Sequence, residues 1–385
     1  MREQPGDPRR NRGINRLSNV LTRRFFRNLS LALGIGLIGG GLAHSINMPL
    51  AWMMGPMLAT FVVSLMRVPM AVPMQFRSVI LGVIGVFLGA SFTPETFDQA
   101  AKWPISMIAV LIYVPVITVI ITWFYTKIAR LDPATALFSA TPGGLTPMIV
   151  LGAAAGGNEQ EIALTQGLRV LLLVMSAPVF ALMITGVVAS GHGDSHAVQM
   201  TLNEGLLTGV CALVTVLVFR KIGVPASYMT GAMAASMVLH VTGIVEGNLP
   251  DWLLAGSLLI LGSAIGSRFS GVKLSVLARL AGYSVLATLA VLAFTGGVAW
   301  FVAQWLDLDF IAVLLAFAPG GVAEMSLIAL ALDVEPSFVA FHRSSCTADG
   351  QMVSKPHETQ KHIKNLTGKV APARCKITFA MLFDC

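Results

Sequence analysis

Apolar stretches without Asp, Glu, Lys or Arg are the feature that most limits how this chain can fold. They lie at about 29–46, 48–66, 79–92, 104–126, 134–156, 205–219, 223–245, 252–267, 280–306 and 310–323. Two more, 162–188 and 310–332, are broken only by Arg169 and Glu324, respectively. About 20 apolar residues cross a bilayer as a helix, and backbone in lipid must satisfy its own hydrogen bonds. The sequence therefore predicts an all-α polytopic membrane protein.

Composition and motifs exclude several other classes. Only 12% of the residues are charged, against about a quarter in soluble proteins, and four Cys in 385 residues do not make a disulfide scaffold. No dinucleotide fingerprint, P-loop or Cys-x-x-Cys motif occurs, so no cofactor is expected. His192, Asp194 and His196 have spacing that could bind a metal, but they lie in a polar loop and are interpreted as solvated residues, so no metal site is predicted.

The N-terminal residues 1–28 form a basic arm that contains eight arginines against Glu3 and Asp7. Arginine beside a membrane span marks the cytoplasmic side, so the arm predicts a cytoplasmic N-terminus. An arm that binds anionic lipid or nucleic acid and a twin-arginine export signal around Arg23 and Arg24 are alternatives. No nucleic-acid partner is expected.

The chain repeats itself at an offset of 176–177 residues. Pro49, Trp52, Gly55 and Ala59 match Pro225, Tyr228, Gly231 and Ala235, while Gly85, Gly89 and Phe92 match Gly262, Gly266 and Phe269. The strongest match joins Thr141-Pro142-Gly143-Gly144 to Ala318-Pro319-Gly320-Gly321. These blocks predict two membrane repeats, 29–190 and 202–343, which are joined by the loop 191–201.

Charge predicts that the two repeats have opposite orientations. Lys127 and Arg130 follow the fourth apolar stretch of the first repeat, whereas Asp307 and Asp309 occupy the matching loop of the second. Opposite charge at matching loops indicates opposite orientation. Inversion needs an odd number of crossings, so each repeat is predicted to have about five spanning helices plus one Pro-Gly-Gly segment that is broken or re-entrant, because Pro and Gly interrupt a regular helix.

An interrupted helix exposes backbone N–H and C=O groups that can hold a solute. The predicted substrate-binding residues are Pro142, Gly143, Gly144, Gln166, Arg169, Pro319, Gly320, Gly321, Glu324 and His342. No catalytic residue is predicted. Arg169 either pairs with Glu324, binds a substrate carboxylate or extends its guanidinium to the membrane surface, and a purely structural kink at each Pro-Gly-Gly segment is the alternative to a site. His342 approximately matches Arg169 if a one-residue gap is allowed.

The duplicated Pro-Gly-Gly motifs, with Met148, Gln166 and Arg169 in the first half and Glu324 and Met325 in the second, resemble those of the membrane AbrB family, the AbrB duplication proteins. The resemblance covers about residues 29–343 and implies a multi-pass protein of the bacterial inner membrane. Members carry names such as ammonia monooxygenase or regulator of gene expression. The small soluble DNA-binding fold that is also called AbrB has no counterpart segment here.

The expected function is a transporter-like carrier of a small solute within the lipid bilayer, with an anion as one class of solute that would fit. A membrane-bound monooxygenase and a membrane sensor that acts through a partner are the alternatives, with a non-enzyme favoured. The substrate, the coupling ion and the oligomeric state stay open.

Residues 344–385 form an atypical polar tail. The first repeat continues after Arg169 into an apolar helix, but the second becomes polar after Arg343 and contains three of the four cysteines, Cys346, Cys375 and Cys385. The composition changes in the middle of an element. We therefore hypothesise a frameshift or an unrelated replacement from about residue 344 that removes the last helix and leaves a poorly stable or inactive protein.

Overall fold

The computed structural model describes residues 8–92, 103–142, 145–185, 199–224, 226–332 and 334–352 as an all-helical chain. Side chains are described between residues 25 and 344, except at 93–102, 143–147, 181, 182, 184–198, 225 and 333. Within these ranges the helices are α1 Pro8–Ser45, α2 Ala51–Leu65, α3 Met74–Ala90, α4 Trp103–Lys127, α5 Pro133–Ala140, α6 Leu145–Ala154, α7 Glu159–Thr185, α8 Leu202–Ile222, α9 Ser227–Val241, α10 Asp251–Gly266, α11 Leu274–Leu306, α12 Phe310–Phe317, α13 Val322–Ala331 and α14 Pro336–Met352. A short 3₁₀ helix, Ser267–Phe269, follows α10.

Six segments in the described part of the chain are long and apolar enough to cross a membrane. They are Phe25–Ser45, Trp103–Lys127, Glu159–Phe180, Leu202–Ile222, Asp251–Phe269 and Leu274–Leu306. Helices α2, α3 and α13 are shorter and also apolar. The predicted all-α class is confirmed for these ranges.

Both short helices that precede a Pro-Gly-Gly segment begin and end in the same way. Asp132 caps α5 by accepting a hydrogen bond from the Thr135 backbone N–H, and Asp309 caps α12 through the Ala312 backbone N–H. At the other end, Thr141 and Ala318 adopt ψ angles of 124° and 129°. Each precedes a proline, which disfavours helical geometry at the residue before it, so both helices stop there.

The helices before residue 186 and after residue 201 follow a matching order. Helices α2 and α9 have 15 residues each, α5 and α12 have 8 each, and α6 and α13 have 10 each. Leu50 and Ala226, at the starts of α2 and α9, are both left-handed, with φ of 48° and 49°. This order agrees with the predicted duplication, whose domain boundaries remain a prediction.

Glycines bring α2 and α10 into close contact. A Cβ on Gly262 would lie 2.3 Å from the Met53 carbonyl oxygen, and one on Gly266 would lie 2.4 Å from that of Met57. Small residues allow such close helix approach. The contacting residue numbers rise along both helices, so α2 and α10 run parallel. The matching pair, α3 and α9, packs in the same way, with Gly85 on Met229 and Gly89 on Met233.

Helices α4 and α11 occupy matching places in the two halves and run antiparallel. The Tyr113 hydroxyl lies 2.5 Å from Thr295 Oγ1. Twelve residues further along α4, Tyr125 lies beside Ser284, which is earlier on α11. Because the contacting residue numbers rise along α4 while they fall along α11, the two helices run in opposite directions.

Helices α5 and α6 form a helical hairpin. The Asn158 backbone N–H, just beyond α6, donates a 2.7 Å hydrogen bond to Thr135 Oγ1 in the first turn of α5. The residues that follow α6 thus lie beside the start of α5. Gly152 of α6 packs on Phe138 of α5 and on Ile162 of α7.

Helix α14 continues beyond the predicted break at residue 344. Its described part runs from Pro336 to Met352. Its first half is apolar and packs in the core, with Phe338, Val339 and Ala340 fully buried. A helix is therefore present in the described residues on both sides of position 344, and its N-terminal half carries the apolar residues that anchor it in the core.

Candidate functional site

Arg169 and Gln166, on α7, bind the carbonyl groups at the end of α5. Arg169 Nη1 donates to the carbonyl oxygens of Ala140 at 2.9 Å and Ser139 at 3.3 Å, and Gln166 Nε2 donates to that of Phe138 at 2.5 Å. The last carbonyls of a helix lack partners within it, and a cation suits the negative end of the helix dipole. Arg169 is only 7% exposed, so its guanidinium does not extend to the surface.

Arg343 performs the same task at the second interruption. Its Nη1 donates a 2.5 Å hydrogen bond to the Ala318 carbonyl oxygen, at the end of α12, and its side chain is buried. Sequence comparison assigned the matching place to His342 and missed Arg343. The available signal was the ungapped offset, because Arg343 stands 177 residues after Gln166, which also binds a carbonyl of the interrupted helix.

His342 lies outside the cavity between the interruptions. Its Nδ1 donates to the Phe338 carbonyl oxygen at 2.9 Å, and its Nε2 is 2.8 Å from Ser106 Oγ. The rings of Trp103 and Phe338 pack around it. These contacts join α14 to α4 and indicate a packing role.

Glu324 has Arg77, not Arg169, as its ion-pair partner. Glu324 Oε1 lies 3.9 Å from Arg77 Nη2, and Glu324 is 3% exposed. The carboxylate belongs to the first turn of α13, where the helix dipole favours negative charge. It lies against Gly321, so any Cβ added at Gly321 would collide with it. Of the alternatives for Arg169, pairing with Glu324 is therefore wrong.

A narrow cavity lies where the two interruptions meet. Its lining residues come from α4, α5, α7, α11 and the second Pro-Gly-Gly segment and are Ile117, Ile121, Tyr125, Ala140, Arg169, Ala287, Thr288, Val291 and Pro319. The space admits about one water-sized molecule. Ala140 is the last residue of α5 and Pro319 opens the second Pro-Gly-Gly segment, so the end of α5, the second interruption and Arg169 border one cavity.

The predicted site residues thus divide into groups. Arg169 and Pro319 line the cavity, Gln166 supports the end of α5, and Pro142 is half-buried at the first interruption. Gly320 packs beside the Met325 side chain. Gly143 and Gly144 lie outside the described residues, as do His192, Asp194 and His196. Among the residues that the structure does describe, no group of three or more His, Cys, Asp or Glu could hold a metal ion.

Comparisons with known proteins agree with the predicted resemblance. A family model described as "Transition state regulatory protein AbrB" matches residues 18–345. The chain is 27% identical over 315 residues to "Putative regulator AbrB" of Escherichia coli (strain K12), a match that covers 81% of this chain and 88% of the relative. It is 24% identical over 335 residues to "Uncharacterized protein YhjN" of Bacillus subtilis (strain 168), covering 80% and 86%. The family match ends one residue after the position where the polar tail was predicted to begin.

Proposed function

The chain belongs to the AbrB family, and we propose that it is a carrier that moves a small solute across the bacterial inner membrane. Its substrate site is the cavity between the two interruptions. The observation that carries the proposal is that Ala140, Pro319 and the buried Arg169 line this one space. Broken helices at matching positions of two repeats are typical of the central sites of secondary transporters.

Helix directions support the inverted arrangement of the repeats. The matching helices α4 and α11 run antiparallel, as the contact between Tyr113 and Thr295 at one end and that between Tyr125 and Ser284 at the other require. Two copies related by an axis in the membrane plane have this property. Opposite charge in the loops that follow these helices, Lys127 and Arg130 against Asp307 and Asp309, points the same way.

The hairpin of α5 and α6 supports a re-entrant segment. Its two helices have 8 and 10 residues, and each is too short to cross a hydrocarbon core that needs about 20. The hydrogen bond from Asn158 to Thr135 closes the hairpin at its open end. In this half α1, α4 and α7 contain segments long enough to cross, and α2 and α3 are apolar helices of 15 and 17 residues. We count all five as crossings beside the re-entrant segment, which gives the odd number that inversion needs.

The orientation follows from the basic arm. The eight arginines in residues 1–28 support a cytoplasmic N-terminus, because arginine beside a membrane span favours that side. Both relatives come from bacteria, which supports the plasma (inner) membrane of a bacterium as the location of a polytopic helical protein.

Uptake into liposomes tests the carrier function. Purified full-length protein is reconstituted and offered a panel of radiolabelled small metabolites that carry negative, positive or no charge. We expect saturable uptake of at least one class, which Arg169→Ala abolishes. Arg279→Gln is the control, because Arg279 is an exposed arginine that pairs with Glu161 away from the cavity. The absence of uptake for every class would overturn the proposal.

A regulatory role is the second candidate, because one relative is named a regulator. A membrane sensor must bind a partner in the cytoplasm to pass on its signal. The basic arm, residues 1–28, is the candidate for that contact. Deletion of residues 1–24 would then abolish a change in gene expression while leaving uptake intact. The monooxygenase alternative predicts stoichiometric copper or iron in the purified protein, which metal analysis would detect.

A further inference from the structure

We infer that the solute is a small monocarboxylate with a short, largely apolar remainder such as that of lactate, bound by Arg169 in the cavity between the interruptions. This inference rests on the proposed carrier function and adds the chemical class of the substrate. It follows from the hydrogen-bonding character of the lining, the unused edge of the Arg169 guanidinium and the size of the apolar part.

The polar side chains that line the cavity are all able to donate hydrogen bonds. They are the Arg169 guanidinium and the hydroxyl groups of Tyr125 and Thr288. No carboxylate is among the lining residues. A ligand that only accepts hydrogen bonds and carries negative charge complements such a set, because guanidinium groups bind carboxylates with paired, charge-assisted hydrogen bonds. A cation would meet an unbalanced buried positive charge.

Arg169 has binding capacity that its helix-capping role does not use. Its Nη1 atom serves the carbonyls of Ser139 and Ala140, whereas its buried Nε has no hydrogen-bond partner among the described residues. A buried donor without a partner costs about 1–3 kcal/mol. A carboxylate that reaches this edge would satisfy Nε and offset the positive charge without displacing the carbonyls of α5.

The rest of the lining limits the remainder of the solute. Five lining side chains are purely aliphatic, and Pro319 adds a further apolar surface. These five are Ile117, Ile121, Ala140, Ala287 and Val291. The space in this structure admits about one water-sized molecule, so a monocarboxylate binds only after the lining helices move apart. A second carboxylate would lie against the aliphatic wall without a donor, so a dicarboxylate is disfavoured.

Three isosteric probes separate charge from shape in liposomes that contain the unmodified full-length protein. The probes are lactate, the neutral lactamide and the cationic 1-amino-2-propanol, with malonate as the dicarboxylate. We expect lactate uptake to exceed that of each other probe by about tenfold or more, since one charge-assisted hydrogen bond is worth at least one decade in binding. Protein-free liposomes give the passive leak of each probe.

Variants test whether the cavity donors make this selection. Thr288→Val keeps the side-chain shape and removes one hydrogen-bond donor. It should raise the lactate concentration that gives half-maximal uptake several-fold. Thr122→Val is the matched control, because the Thr122 hydroxyl bonds only to the Thr118 carbonyl on the same helix and lies outside the cavity. The assignment would be contradicted if Thr288→Val left the half-saturating lactate concentration unchanged, or if Thr288→Val and Thr122→Val changed it equally.

The outcomes distinguish the inference from the carrier function. The monocarboxylate assignment would be overturned if lactamide or the cationic probe were taken up as fast as lactate, or if malonate were taken up faster than lactate. The proposed carrier function would be unaffected by these results. No uptake of any of these probes by protein that does transport another class in the wider panel would also overturn the assignment. No uptake of any solute at all would overturn both.

Discussion

Arg169 Nη1 lies 2.9 Å from the carbonyl oxygen of Ala140 and holds the end of the interrupted helix α5. Arg343 makes the corresponding bond to Ala318 at the end of α12. Both arginines belong to the last helix of their half. A buried arginine from a later helix, α7 or α14, thus stabilises the end of each helix that precedes a Pro-Gly-Gly segment.

Removal of either arginine should destabilise the protein to a similar degree. We expect Arg169→Leu and Arg343→Leu each to cost about 1–3 kcal/mol, because each leaves buried carbonyl oxygens without donors. Thermal unfolding of the purified variants in detergent measures this. If Arg169→Leu lowered the unfolding midpoint and Arg343→Leu left it unchanged, the second interruption would be stabilised by other contacts.

The ion pair of Arg77 and Glu324 should show an asymmetric response to mutation. Arg77→Ala leaves a buried carboxylate without this partner, so it should lower the unfolding midpoint more than Glu324→Gln, which removes the charge itself. The double variant should recover part of the loss caused by Arg77→Ala. Strictly additive effects in this double-mutant cycle would mean that the two groups do not interact.

Close approach of α2 and α10 depends on the absence of a side chain at Gly262. Gly262→Ala places a Cβ against the Met53 carbonyl oxygen and should destabilise the protein by about 1–3 kcal/mol. Gly256, on the same helix, has no heavy atom within 4 Å of an added Cβ, so Gly256→Ala should be neutral or slightly stabilising. Equal midpoints for the two alanine variants would contradict the described packing.

The inverted orientation of the repeats can be measured by labelling from each side of the membrane. The four cysteines, Cys211, Cys346, Cys375 and Cys385, are first replaced by serine, and single reporters are then introduced as Lys127→Cys or Asp309→Cys. An impermeant maleimide should reach Lys127→Cys only from the cytoplasmic face and Asp309→Cys only from the opposite face. Labelling of both reporters from one face would refute the inversion.

The polar tail should contribute little to folding. The family match stops at residue 345, and the described part of α14 buries its apolar residues before that point. A chain that ends after Met352 should therefore unfold within about 1 kcal/mol of the full-length protein, in the range of ordinary surface changes. A strongly lowered midpoint would assign the tail a structural role and weaken the replacement hypothesis.

The sequence by itself determined the helical class through its apolar stretches, pointed to the family through the resemblance of its duplicated Pro-Gly-Gly motifs, and predicted that two helices end before Pro142 and Pro319. Uncharged stretches of sufficient length leave few other folds, and the residue before Pro142 or Pro319 resists helical geometry whatever surrounds it. These are local effects, since they depend on the chain's own backbone and on its partition between water and lipid.

Only the tertiary structure decided which buried charges meet. Arg169 was correctly identified as a buried charge, but its partners are carbonyls of α5, and Glu324 lies with Arg77 from a distant helix. Arg343 went unnoticed because its role depends on how α14 turns toward Ala318. Helix orientation and packing set these distances of a few ångströms. Because Coulomb and hydrogen-bond energies depend on such distances, the order of residues in the sequence does not reveal which groups pair.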